Sequence, residues 1–113
     1  MPRYIVAVLA TPPSERAPLA ESEALTAAAM LGDHLAQIHV VEFPMGNPVR
    51  LLGAAVHTGP HGVRLEITCQ AFRPCLAADA IVTAVGLLSR RHSATTAWHV
   101  RLVGVTAEDD AST

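Results

Sequence analysis

Aromatic residues are scarce in this chain: two Phe, one Trp and one Tyr in 113 residues, although half of the residues are hydrophobic. A core of Ala, Val, Leu and Ile buries less area per residue than an aromatic one, so a domain of this size gains by sharing apolar surface with further subunits. An excess of basic charge is also missing, because eight basic against ten acidic residues leave a formal net charge of -2. Phosphate neutralisation needs a basic footprint, so nucleic acid is not an expected partner. Cysteine is limited to Cys69 and Cys75 with no Cys-x-x-Cys pair, which excludes a disulfide framework and a zinc knuckle. The longest early apolar run, Tyr4 to Ala10, is far shorter than a bilayer span and gives way at once to Thr-Pro-Pro-Ser-Glu-Arg instead of a small-residue cleavage site. These absences predict one cytoplasmic domain with reduced thiols and no membrane partner.

What is present is a regular alternation of strand and helix patterns. Tyr4–Ala10 is apolar on both faces and rich in β-branched residues, as in a buried strand. Thr11 to Pro18 is a loop. From a Ser22 N-cap, Glu23–Ala36 sets Ala24, Ala27, Ala28, Leu31 and Leu35, with Ile38 beyond, on one helical stripe. Gln37–Phe43 reads as a strand closed by the breakers Pro44 to Pro48. Val49–His57 is extended, and the turn Thr58 to Gly62 returns it into Val63–Phe72, where Val63, Leu65, Ile67, Cys69 and Ala71 alternate with Arg64, Glu66, Thr68 and Gln70. Pro74 suits a first helical position, and Cys75–Arg91 places Ala77, Ala80, Ile81, Ala84, Leu87 and Leu88 on one face. Trp98–Thr106 is the last strand, with Trp98, Val100 and Leu102 opposite His99, Arg101, Val103 and Val105; a polar tail from Glu108 follows.

The halves echo one another at an offset of about sixty residues, Ile5 matching Leu65 and Ile38-His39-Val40 matching Trp98-His99-Val100. The expectation is an α+β domain over residues 1–113, with a pseudo-repeat of 1–48 and 61–107. Two tandem β-α-β units would form one mixed four-stranded sheet, with short hairpin strands and two helices on one face. A ferredoxin-like β-α-β-β-α-β arrangement is the alternative, and it treats Gln37–Phe43 as loop.

Among chemistry-bearing residues, Pro2 stands directly before the first strand. If Met1 is removed, Pro2 is a secondary amine whose neutral form, favoured by apolar surroundings, is a base near pH 7. Six histidines allow the pairs His57/His61 and His34/His39, too few ligands for zinc, so no metal is expected. Cys75 near a helix start could be an activated thiol, although no base is assigned to it. His39 and His99 occupy matching strand positions.

An N-terminal Pro after Met, tandem β-α-β units, a length near 113 and a hairpin between the units resemble the tautomerase superfamily, in particular the macrophage migration inhibitory factor and cis-chloroacrylic acid dehalogenase groups. Leu35-Ala-Gln-Ile-His-Val-Val-Glu-Phe-Pro-Met-Gly-Asn47 is similar to the second strand and turn of the dehalogenase group. The resemblance implies a homotrimer and a cofactor-independent isomerase that shifts a proton on a small carboxylate or enol. Pro2 would be the catalytic base, with Arg73, His39 and Arg101 as substrate-binding candidates and Arg73 as the carboxylate clamp. Ala29-Met30 stand near where the dehalogenase group carries a histidine, a single arginine stands where it has two, and Leu102 falls near its tyrosine. The resemblance therefore implies tautomerisation rather than water activation. A non-catalytic oligomeric module that binds a ligand or a protein is the rival expectation.

Overall fold

The computed structural model describes residues 2–13, 19–41, 48–93 and 95–108. Its elements in chain order are β1 (Arg3–Thr11), α1 (Glu21–Ala36), β2 (Val40–Val41), β3 (Val49–Gly59), β4 (Gly62–Gln70), α2 (Pro74–Arg91) and β5 (His99–Glu108). The strands form one sheet in the order β2-β3-β4-β1-β5, and all neighbours are antiparallel.

The period-two pattern sets the sheet faces. On β1, Tyr4, Val6, Val8 and Ala10 are buried, and on β4 so are Val63, Leu65, Ile67 and Cys69; across the ladder Val6 pairs with Ile67 and Val8 with Leu65. These side chains meet Ala24, Ala27, Leu31 and Leu35 of α1 and Ala77, Ala80, Ile81, Val85 and Leu88 of α2 in one core. Each fully buried Val, Leu or Ile contributes about 1.5–3 kcal/mol relative to exposure, so this face fixes the register. Helix α1 lies over β3, and α2 lies over β5 and β1. Glu21 and Glu23 in the first turn of α1 and Arg90 and Arg91 in the last turn of α2 suit the helix dipoles. The N-cap of α1 is Ala20, two residues before the expected Ser22, and it makes no side-chain cap. Pro74 opens α2 as expected.

The expected parallel pairing within each β-α-β unit is not found. The described part of the first unit's second strand, β2, lies three places from β1 and runs opposite to it, whereas β4 and β5 of the second unit run the same way with β1 between them. The two units interleave: β1 of the first lies between β4 and β5 of the second. The sheet is thus antiparallel rather than mixed. The sixty-residue echo also slips by one position: Leu65 is buried on the helix side whereas Ile5 lies on the opposite face, and in a strand one residue reverses every side chain. Of Gln37–Phe43 only Val40–Val41 is strand, and Glu42 and Phe43 lie outside the described residues, as does the tail beyond Glu108.

Two local features depart from simple patterning. The β1–β5 register shifts between Ala7 and Val8, which pair with Gly104 and Leu102 and leave Val103 as an extra residue. This bulge carries Val105 to the same side as Val100, against the expected alternation. After α2, Thr95 is fully buried and its hydroxyl donates to the Ser89 carbonyl at 2.7 Å, while the buried Ser89 hydroxyl donates to the Gly86 carbonyl at 2.9 Å. Both buried hydroxyls are thereby satisfied.

Candidate functional site

At one end of the sheet, Pro2 extends the β1–β4 ladder: its carbonyl accepts the Ala71 N–H at 3.2 Å, one step beyond the Arg3–Gln70 pair. Pro2 is exposed. Two residues after Ala71, Arg73 takes the N-cap of α2 in an extended conformation, and its carbonyl accepts the Ala77 N–H at 3.2 Å. Its side chain is exposed beside Phe72, which is 56% exposed. A shallow cavity of about 660 Å³ is lined by Phe72, Arg73, Cys75 and Leu76, and Pro2 is not among its lining residues. The structure thus brings Pro2 and Arg73 to one sheet end.

The other two expected binders lie elsewhere. His39 precedes β2, and its carbonyl accepts the Leu51 N–H at 2.9 Å, which puts it three strand spacings from β1, roughly 14 Å. It lines a separate cleft of about 290 Å³ with Gly32, Leu35, Ile38 and Leu51. Arg101 pairs with Leu9, seven residues along β1 from Pro2, or roughly 24 Å. Within one subunit neither His39 nor Arg101 joins Pro2. His39 and His99, matched in the sequence, stand at opposite edges of the sheet.

Sequence periodicity missed the cleft between α2 and the start of β5. It has a volume of about 380 Å³ and is lined in part by Thr83, Gly86, Leu87, Arg90, Trp98 and His99. Helix α2 turns Ile81, Val85 and Leu88 into the core, so the next stripe, Thr83, Leu87 and Arg90, looks out along the sheet edge. Leu87, expected on the buried face, is 47% exposed. The backbone N–H of Trp98 donates to the Thr95 carbonyl at 3.0 Å, and the buried Trp98 lines the cleft. Among the described residues no Asp or Glu lines this cleft, and Arg90 does. Beside it, among the described residues, β5 pairs with β1 alone, so its outer edge presents backbone donors and acceptors.

Among the described residues no three of His, Cys, Asp and Glu converge as metal ligands. Among the described residues the imidazoles in contact are His34 and His92, ring centroids 4.3 Å apart and edge-on, rather than His34 with His39 or His57 with His61. Both sit where helices end, His34 in the last turn of α1 and His92 at the C-cap of α2, a juxtaposition invisible to sequence spacing. Cys69 is fully buried, and burial pushes its thiol up from 9.0 to about 11; Cys75 is exposed and unbonded to it. The Arg64–Glu66 pair at 3.5 Å is solvent-exposed and contributes at most about 1 kcal/mol. Among the described residues no helix is long and apolar enough to cross a membrane. Comparison with protein-family models, curated proteins and solved structures finds no match.

Proposed function

We propose that this chain is a non-catalytic binding module, ferredoxin-like in its interleaved β-α-β-β-α-β order, that takes up an extended, acid-bearing protein segment along β5. The observation that carries this reading is the α2–β5 cleft, where among the described residues no carboxylate lines the wall beside Arg90 and the outer edge of β5 is unpaired. An added strand would gain main-chain hydrogen bonds from the edge, apolar contact from Leu87 and Trp98, and charge contact from Arg90. The free thiols Cys69 and Cys75 suit a reducing, cytoplasmic setting. The test is amide-resolved NMR titration with a peptide of alternating valine and threonine ending in two glutamates. Shifts confined to His99–Glu108 and to Val82–Arg90 of α2 are expected; shifts centred on Pro2 and Arg73 would overturn the assignment.

A second reading is favoured by the hydrogen bond from Ala71 N–H to the Pro2 carbonyl, which holds Pro2 beside the turn that carries Arg73. On this tautomerase-like reading Pro2, freed of Met1, is the base and Arg73 the carboxylate clamp for a small enol or keto acid, without a cofactor. A homotrimer would be needed to supply His39 or Arg101 from a neighbouring subunit. Ketonisation of an arylenolpyruvate by the processed protein, lost in Pro2→Ala, is then expected. Equal turnover in the variant sinks this mechanism.

A further inference from the structure

We infer that the segment β5 accepts is β5 of a second copy of this chain, paired antiparallel over the full strand with His99 opposite Glu108; the inference rests on the binding-module reading above. The bulge is what makes this register possible. Through the β1–β5 ladder, Leu9 pairs with Arg101 and Thr11 with His99, whereas Ala7 pairs with Gly104, Ile5 with Thr106 and Arg3 with Glu108. His99, Arg101, Gly104, Thr106 and Glu108 therefore share the sheet face turned away from the helices. Val100, Leu102, Val105 and Ala107 share the helix side. Opposed residues of an antiparallel pair must lie on one face. In the full-length register His99 meets Glu108, Val100 meets Ala107, Arg101 meets Thr106 and Leu102 meets Val105, and the twofold axis passes between Val103 and Gly104. These four pairs match in face, and the bulge residue Val103 falls with Gly104 beside the axis. In a regular ten-residue strand the two ends would face opposite ways, and the same register would fail.

Charge complementarity selects the same arrangement. Arg101 lies near the start of the edge with His99 two residues before it, and the acid Glu108 lies at its end, all three on the face away from the helices. Antiparallel pairing brings Glu108 of each copy opposite His99 and diagonal to Arg101 of the other, twice over by symmetry. Apolar exposure is concentrated here too. Among the described residues, three of the seven exposed large hydrophobic ones, Leu87, Leu102 and Val103, flank this edge, and Leu102 would gain Val105 as its cross-strand neighbour. Natural edges are usually blunted by charge or by shortness, and a ten-residue edge with two exposed aliphatic residues at its centre is open to pairing.

Sedimentation equilibrium of the full chain tests this through two complementary variants. E108K alone and the double variant H99E/R101E alone each set like charges together at both ends of the dimer. Each should raise the dimer dissociation constant at least roughly tenfold. Mixed together, they restore opposite charges at both ends, and a one-to-one heterodimer close to wild-type affinity is expected. Recovery on mixing cannot arise if either variant is merely misfolded. A wild-type monomer at millimolar concentration, a trimer, or variants that associate as the wild type does would overturn self-pairing. A wild-type monomer that still shows peptide-induced shifts along β5 would overturn self-pairing alone and leave the binding-module reading standing.

Discussion

Cys69 shows how a single residue on the core face acquires a property absent from its sequence neighbourhood. It alternates with Thr68 and Gln70 as any strand residue would, yet its complete burial lifts its thiol to about 11. The folded chain therefore keeps this proton where the unfolded chain has begun to lose it. The associated stability is fully present below pH 9 and is lost as pH rises from 9 through 11, at about 1.4 kcal/mol per pH unit. Urea titrations between pH 8 and 11 should show that decline, and Cys69→Ala should flatten it from a lower plateau. Among the proposed site residues, Pro2 and Arg73 were legible as chemical types, and their place at one sheet end was within reach because both flank strands that proved to be neighbours. The placement of His39 and Arg101 was not legible, because strand order rather than residue type separates them from Pro2.

At the level of elements, the β3–β4 hairpin depends on its closing glycine. Gly62 has φ +155, and a Cβ added there would run into the Ala10 carbonyl oxygen of β1, which is backbone and cannot swing aside. Gly62→Ala is expected to cost about 1–3 kcal/mol by chemical denaturation. Gly53→Ala, where an added Cβ meets nothing within 4 Å, provides the near-neutral control. Equal stability of the two variants would mean that the hairpin end shifts without penalty. Periodicity found this hairpin and both helices to within a few residues, since alternation and the 3.6-residue stripe each report which side is buried. It misjudged β5, because a bulge alters the count by one without a mark in composition. It also placed Leu87 inside, whereas α2 presents Val85 and Leu88 to the core and leaves Leu87 over the sheet edge.

For the whole molecule, the two β-α-β units share strands instead of standing side by side, and this decides which residues can act together. Interleaving puts Pro2 at one end of β1 and Arg101 near the other, sends His39 and His99 to opposite edges, and leaves β5 with one neighbour. A second copy paired along that edge would form a continuous ten-stranded sheet with α2 of each subunit beside the twofold axis, so that the sparse aliphatic core is supplemented by contacts between copies. The sequence by itself determined the alternation of strand and helix, the buried face of each main element, the hairpin and the absence of a basic footprint, because these depend on side-chain chemistry at short range. Only the tertiary structure decided that neighbouring strands are all antiparallel, that His34 meets His92, that Arg90 and His99 share a cleft, and that the bulge aligns the two ends of β5 on one face. Those outcomes depend on contacts between residues far apart in the chain, where several strand orders satisfy the same hydrophobic pattern and the choice among them is made by how the layers pack.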